Sequence, residues 1–389
     1  MFGLREEIWK EKGGINTARE IYQQPELWLE TLKIVESNKT TIENFMKDRM
    51  RKEKIRVIFS GAGTSAYIGD IVVPYLNENK EYIYEAIPTT DIVTNPQMYF
   101  KKDIPTILVS FARSGNSPES IATYNLANQL VDDISHIFIT CNQEGELAKI
   151  SKNNENVLLL LMPEKSNDKG FAMTSSFTCM TLTALLIFDM ENFEDNKKQV
   201  IEMVNIGKDI LNNGYRELEK LLDYDFERVV YLGSGSLHGL SKESALKLLE
   251  LTSGKIISHS ETVLGFRHGP KSIVNDDTLI FVYISADEYV RKYDLDIVRE
   301  IYEDAGNHKV IAISQIYDEE LKKYSDSNWF LSTNKKEAWY DVYSVIVYIL
   351  YAQIFALLTS IKLGIEPDNP SPRGIVNRVV KGVKIYEFK

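Results

Sequence analysis

Four stretches of this 389-residue chain hold side chains whose types and spacing could do chemistry. In HSETVLGFRHGP, residues 259–270, His259, Glu261, Arg267 and His268 fall within ten residues, and Gly265 and Gly269–Pro270 bend the backbone around them. Two of the chain's five histidines lie there, and histidine beside a carboxylate can move protons near neutral pH. In KESALKLLELTSG, Lys247 and Glu250 stand three apart on a helical stretch and share one face. An exposed ion pair has the same spacing, but the stretch around this one is unusually apolar. In ARSGNSPES, Arg113, Ser114, Gly115, Asn116 and Ser117 gather at a helix start, where hydroxyls and free N–H groups hold an anion such as a phosphate. An ordinary capped helix would need only Ser117 and Pro118. Finally GAGTS, residues 61–65, offers Gly63, Thr64 and Ser65 between a strand and a helix. Alone, such a turn is more often a tight connection than a ligand site. It lacks the third glycine of a dinucleotide fingerprint, Ala66 standing there instead.

The elements around these residues alternate. RVIFSGAG from Arg56 is a short apolar strand entering the first turn, and TSAYIGDIVVPYL is the helix after it. TILVSFARSG is a second buried strand, SPESIATYNLANQL its helix, and HIFITCN and VLLLLMPE follow. Strand, turn and helix in that order predict a parallel sheet covered by helices, and ligands of such sheets bind beyond the carboxyl ends of the strands. Both turns occupy that edge and could close on one phosphate.

The order then repeats. RVVYLGSGS at 228–236 matches RVIFSGAGT at 56–64, TLIFVYIS at 278–285 matches TILVSFAR at 106–113, and KVIAISQ at 309–315 matches IFITCNQ at 137–143, all at an offset of 172 residues. A shared offset that also pairs both Gly-x-Gly turns reads as a tandem duplication. The expected division is an N-terminal helical segment at 1–50, a first α/β domain at 51–200 that binds phosphate, a second at 201–365 that carries the proton-transfer residues, and a tail at 366–389.

Composition bounds the function. With 44% hydrophobic and 26% charged residues the chain is globular. A net charge of −11 argues against a general nucleic-acid binder, while a small phosphate needs only a few N–H groups. The longest apolar run, Val342 to Leu358, contains Tyr, Ser and Gln, so no membrane span is expected, and MFGLREEIWKEKGG lacks the apolar core of an export signal. The only cysteines, Cys141 and Cys179, sit in apolar surroundings, which predicts buried free thiols in a reducing, cytoplasmic compartment. Potential ligands are too sparse for a metal set, and no metal or other cofactor is expected.

SGAGTS, SFARSGNSPES and the stretch from ALKLLE to RHGP resemble the sugar isomerase (SIS) domain family, and the resemblance covers nearly the whole chain. It is similar to the isomerase half of glucosamine-6-phosphate synthase and more so to the galactosamine-6-phosphate deaminase/isomerase group, the tagatose-6-phosphate ketose/aldose isomerases. No Cys follows Met1, so no glutamine-derived ammonia is expected. The resemblance implies two tandem three-layer α-β-α modules with mostly parallel, flavodoxin-like sheets. It gives Ser65, Arg113, Ser114 and Ser117 to the sugar phosphate, and makes Glu250 the base between C1 and C2. Lys247 would assist near those carbons, and His268 would open the sugar ring from a neighbouring subunit of a homodimer or higher oligomer. At the tail position where the synthase carries a Schiff-base lysine, this chain has Arg378, which cannot form an imine. The implied reaction converts galactosamine 6-phosphate to tagatose 6-phosphate and ammonia. Three alternatives stand beside it: aldose/ketose isomerisation without deamination, glucosamine-6-phosphate deamination, and a non-catalytic phosphosugar-binding regulator.

Overall fold

In the computed structural model, which describes residues 1–52, 54–79, 82–332, 338–380 and 382–389, the apolar runs opening each copy are the inner strands of two parallel sheets. The first sheet holds β1 (Arg56–Ser60), β2 (Ile83–Ala86), β3 (Thr106–Ala112), β4 (Ile134–Thr140) and β5 (Val157–Leu161), in the order β2-β1-β3-β4-β5. The second holds β6 (Arg228–Leu232), β7 (Ile257–Glu261), β8 (Thr278–Ile284), β9 (Lys309–Ile316) and β10 (Ser327–Ser332), in the order β7-β6-β8-β9-β10. Every pairing is parallel. Both sheets therefore have the 2-1-3-4-5 order of flavodoxin-like folds, with the chain diverging to opposite sides after the first and third strands.

The duplication extends to single residues. The helix after β1 is Thr64–Asn79 and the helix after β6 is Ser236–Leu251, again 172 residues apart at both ends. The third match needs correcting. Leu108 pairs with His136 and Ile280 with Val310, so β9 is offset from β4 by 174 residues. The first edge strands share that offset, since Arg56 pairs with Ile83 and Arg228 with Ile257. Aligning apolar runs by sequence misses the two-residue shift because a slip of two keeps every side chain on its own face.

The chain divides into two compact units. One comprises Gln23–Lys169, Met173–Ile201 and Arg373–Lys389 and holds the first sheet. In it the Ser175–Phe188 helix is buried along its whole length, and Trp28, on the Gln24–Ser37 helix, donates to Thr178 Oγ1 at 3.0 Å. The other comprises Met1–Tyr22, Gly170–Ala172 and Glu202–Pro372 and holds the second sheet. There the Ile15–Tyr22 helix is capped from afar by Asp368, whose carboxylate accepts from the backbone of Asn16 at 2.9 Å and of Thr17 at 2.8 Å. The Asp341–Lys362 helix of this unit is long and apolar enough to cross a membrane, yet every residue from Val342 to Ser360 is buried in protein, as a core helix requires.

Two buried groups give stability opposite pH slopes. His136, in β4, is 1% exposed, and burial lowers its pKa from 6.5 to about 4. Between those values the unfolded chain binds the proton that the folded chain refuses, so this contribution is complete above pH 6.5 and is lost as pH falls toward 4. Asp294, in the Glu288–Glu303 helix, is pushed up from 3.8 to about 7, chiefly by burial. There the folded chain holds the extra proton, so stability falls as pH rises through the same range. Each effect is on the order of a few kcal/mol. His136→Phe should leave unfolding free energies that fall from pH 4 to 7, and Asp294→Asn should leave ones that rise, as measured by urea unfolding across that range.

Candidate active site

β1 and β3 are neighbours, and the turns beyond their carboxyl ends open the first sheet's switch point. A Cβ at Gly61 would lie 2.5 Å from the carbonyl carbon of Ser65, so only glycine lets the helix start this close to the strand. Gly63 has φ +55 but faces open space. Gly61→Ala should thus break the turn, whereas Gly63→Ala should cost only about 1 kcal/mol of stability. Thermal unfolding of the two variants checks the contrast.

The second turn is braced from the β4 side. Asn142 Nδ2 donates to the Ser114 carbonyl at 2.9 Å, Leu147 N to the Gly115 carbonyl at 3.1 Å, and Glu146 N to Asn116 Oδ1 at 2.9 Å. Asn116 thus holds the turn in shape with its side-chain carbonyl. Ser117 sits at the N-cap of the Pro118–Leu130 helix, but among the described residues its side chain makes no capping hydrogen bond. A hydroxyl at that position normally accepts from the helix's first turn; here the Ser117 carbonyl accepts from Ser120 N at 3.0 Å instead. Ser65, 5% exposed, opens the neighbouring helix.

Arg113, 7% exposed, donates from Nη2 to the carbonyl of Arg378 at 2.7 Å. The Arg378 guanidinium donates in turn to the carbonyl of Asp168, from Nε at 3.1 Å and also from Nη2. Asp168 is fully buried, and its carboxylate accepts from Thr174 N, Ser175 N and Ser176 N at 2.8, 3.1 and 2.9 Å and from the hydroxyls of Thr174 and Ser176. It caps the Ser175–Phe188 helix from a distance. Cys141 lies close enough to feel both Arg113 and Asp168, but burial pushes its thiol up to about 12, which makes it a poor nucleophile.

In the other unit, Lys247 is fully buried on the Ser236–Leu251 helix, with Nζ 2.7 Å from Glu250 and 3.4 Å from Glu243. Burial pulls the ammonium's pKa down, but the two carboxylates outweigh it and the net shift is upward, so Lys247 stays charged. Glu243 is completely buried, while the Glu250 side chain is 24% exposed. Glu250 is therefore the member of this trio that a substrate can reach. Glu243 was missed in the sequence, although its place four residues before Lys247 marks it as a helical neighbour.

The 259–270 cluster is dispersed. His259 and Glu261 belong to the edge strand β7, Arg267 is engaged by Glu300 at 2.6 Å, and His268 is exposed on a short turn before Gly269, which has φ +121. Glu261 accepts from Thr262 N at 2.7 Å and from its hydroxyl at 3.1 Å; although burial opposes it, these bonds and the nearby His238 and His259 lower its pKa. Among the described residues no group of three or more His, Cys, Asp or Glu could hold a metal ion.

The second copy's own switch point is already filled. Ser234 Oγ and Ser285 N donate to Asp294, at 3.2 and 2.8 Å, and Ser285 Oγ and Ala286 N donate to Asp341. Two carboxylates take the donors that an anion would need. Glu250 lies fourteen residues beyond Ser236 on one helix, about 21 Å along its axis.

Residues 49–190 match the SIS domain family. The chain is 41% identical to the D-galactosamine-6-phosphate deaminase AgaS of Escherichia coli, over 97% of each protein. Among solved structures, a candidate tagatose-6-phosphate ketose/aldose isomerase of Clostridium novyi NT superimposes with a TM-score of 0.98 at 48% identity, covering 100% of this chain and 99% of that one. The tagatose-6-phosphate ketose/aldose isomerase of Escherichia coli gives 0.89 at 39% identity, covering 97% of each.

Proposed function

Because the chain belongs to the SIS domain family, we propose that it is a deaminating isomerase that converts galactosamine 6-phosphate and water to tagatose 6-phosphate and ammonia. The observation that carries this reading is the similarity, along almost the full length of both chains, to a D-galactosamine-6-phosphate deaminase. The uncapped Ser117 hydroxyl and the buried Glu243–Lys247–Glu250 trio support it.

In the proposed mechanism, Gly63, Thr64, Ser65 and the 113–117 turn hold the phosphate. His268 moves a proton from the anomeric hydroxyl to the ring oxygen, and the sugar opens to its aldehyde. Glu250 takes the proton from C2, leaving an enolamine, and a proton returned to C1 gives a ketimine. Water hydrolyses the C=N bond, releasing ammonia and leaving the C2 carbonyl of the ketose. Lys247, buried and doubly paired, acts through Glu250, whose position and charge it fixes. Arg378 works through its contacts with Arg113 and Asp168. Domains at 51–200 and 201–365 thereby divide phosphate binding from proton transfer, and the tail at 366–389 serves the first of them.

The same reading makes the protein a cytoplasmic homodimer or higher oligomer in which His268 serves the neighbouring subunit's site. Its exposure fits that role, and two buried free thiols fit a reducing compartment. A second reading, isomerisation of tagatose 6-phosphate without loss of nitrogen, is favoured by the Escherichia coli structure described as such an enzyme. A panel of galactosamine, glucosamine and tagatose 6-phosphates, assayed for ammonia and for the sugar formed, separates them. Ammonia from galactosamine 6-phosphate at the highest kcat/KM is the expected result. No ammonia from either amino sugar, with aldose formed from tagatose 6-phosphate, would replace the deaminase by the isomerase.

A further inference from the structure

The last residues of the chain are tied to the phosphate-binding unit at a second point. Phe388 packs against the cluster of Ile92, Leu126 and Val131 in the first sheet's core, and Gln129 Nε2 donates to the Phe388 carbonyl at 3.0 Å. Ten residues earlier, Arg378 accepts from Arg113 through its carbonyl and donates to Asp168 through its guanidinium. Residues 383–388 line one side of a cavity of about 1020 Å³, and Val93, Ala122 and Leu126 line the other. Several apolar side chains of the tail face solvent, Val380 at 52% and Tyr386 at 75%, while Phe388, next to the terminus, is partly buried against that cluster.

We propose that Phe388 is a positioning residue for phosphate binding: by anchoring the end of the tail it holds the Arg378 carbonyl against Arg113 and so keeps that guanidinium aimed at the phosphate. The argument is one of confinement. A ten-residue segment fixed at both ends samples far fewer conformations than one fixed at a single end, so releasing the far anchor lowers the effective concentration of the Arg378 carbonyl at Arg113. Arginine's N–H donors form a rigid planar fork, so the donation to the tail carbonyl fixes the direction of the whole guanidinium. Gln129 shares the role through the Phe388 carbonyl.

The proposal rests on the phosphosugar reading above, and a double-mutant cycle tests it separately. Phe388→Ala should raise KM for galactosamine 6-phosphate, and Kd for inorganic phosphate, about tenfold with kcat within about threefold of wild type. Phe388→Leu, which keeps an apolar anchor, should restore most of the affinity. In an Arg113→Ala background the further change Phe388→Ala should have almost no effect on phosphate Kd. The same tenfold loss in that background, or no loss in the single variant, overturns the proposal. Wild-type protein that binds neither phosphate nor phosphosugar would instead remove the reading beneath it. Circular dichroism and melting of each variant show that the chain still folds.

Discussion

Glu250→Gln is expected to lower kcat for galactosamine 6-phosphate by about three orders of magnitude while leaving KM nearly unchanged. The amide keeps the size and shape of the carboxylate but cannot accept the C2 proton, and a positioned general base is worth about 10²–10⁴ in rate. Glu250 is the exposed end of the trio, the other two members being fully buried, so the substitution should not disturb the core. Steady-state kinetics with ammonia detection measures the loss. A variant within tenfold of wild type would move the base elsewhere, with Glu261 at the end of β7 the next carboxylate to test.

Lys247→Met is expected to destabilise the fold by about 3–5 kcal/mol, the penalty for leaving a buried charge without its ionic partner. Methionine fills much of the same volume, so the loss reports charge rather than packing. Glu243 is the group that suffers, since its carboxylate is completely buried and Lys247 is its ion-pair partner at 3.4 Å. Converting Glu243 to Gln in the same chain should recover most of the stability, because the pair is then removed as a unit. Urea unfolding of the two single variants and the double variant gives the coupling directly. Equal stability of Lys247→Met and wild type would mean that Glu243 is protonated in the folded protein.

The architecture was legible where burial writes a continuous apolar run. RVIFS, TILVSFA, RVVYL and TLIFVYI are inner strands and read as such, and both Gly-x-Gly turns recur with φ +55 at Gly63 and Gly235. The edge strand β7, ISHSE, was invisible because its side chains are only partly covered and its composition is that of a loop. Its residues read instead as a concentrated proton-transfer cluster, and the fold spreads that cluster along a strand and a turn. Helix geometry alone placed Lys247 beside Glu250, whereas the depth of their burial depends on the long apolar helix Asp341–Lys362 packed against theirs.

Asp168 shows the limit more sharply. DKGFAMTSS places an aspartate six to eight residues ahead of the N–H groups it satisfies, beyond the three-residue reach of a capping box, so no local rule finds it. Its link to Arg378 spans 210 residues. The tail arginine was recognisable only by contrast with a lysine, and its contacts, a carbonyl at one end and a guanidinium at the other, are tertiary facts. The filled switch point of the second copy is of the same kind: GSGS looks as ready for an anion as GAGTS until Asp294 and Asp341 are placed beside it.

The central claim is that ammonia leaves only after a proton has moved from C2 toward C1. Turnover of galactosamine 6-phosphate deuterated at C2 tests it most directly, with ammonia quantified and the tagatose 6-phosphate analysed for label. The account predicts a primary isotope effect on kcat/KM, one ammonia per ketose, and complete loss of deuterium from C2, with some of it recovered at C1. Ammonia released with deuterium still at C2, or deuterium lost from C2 with no ammonia formed, would contradict it.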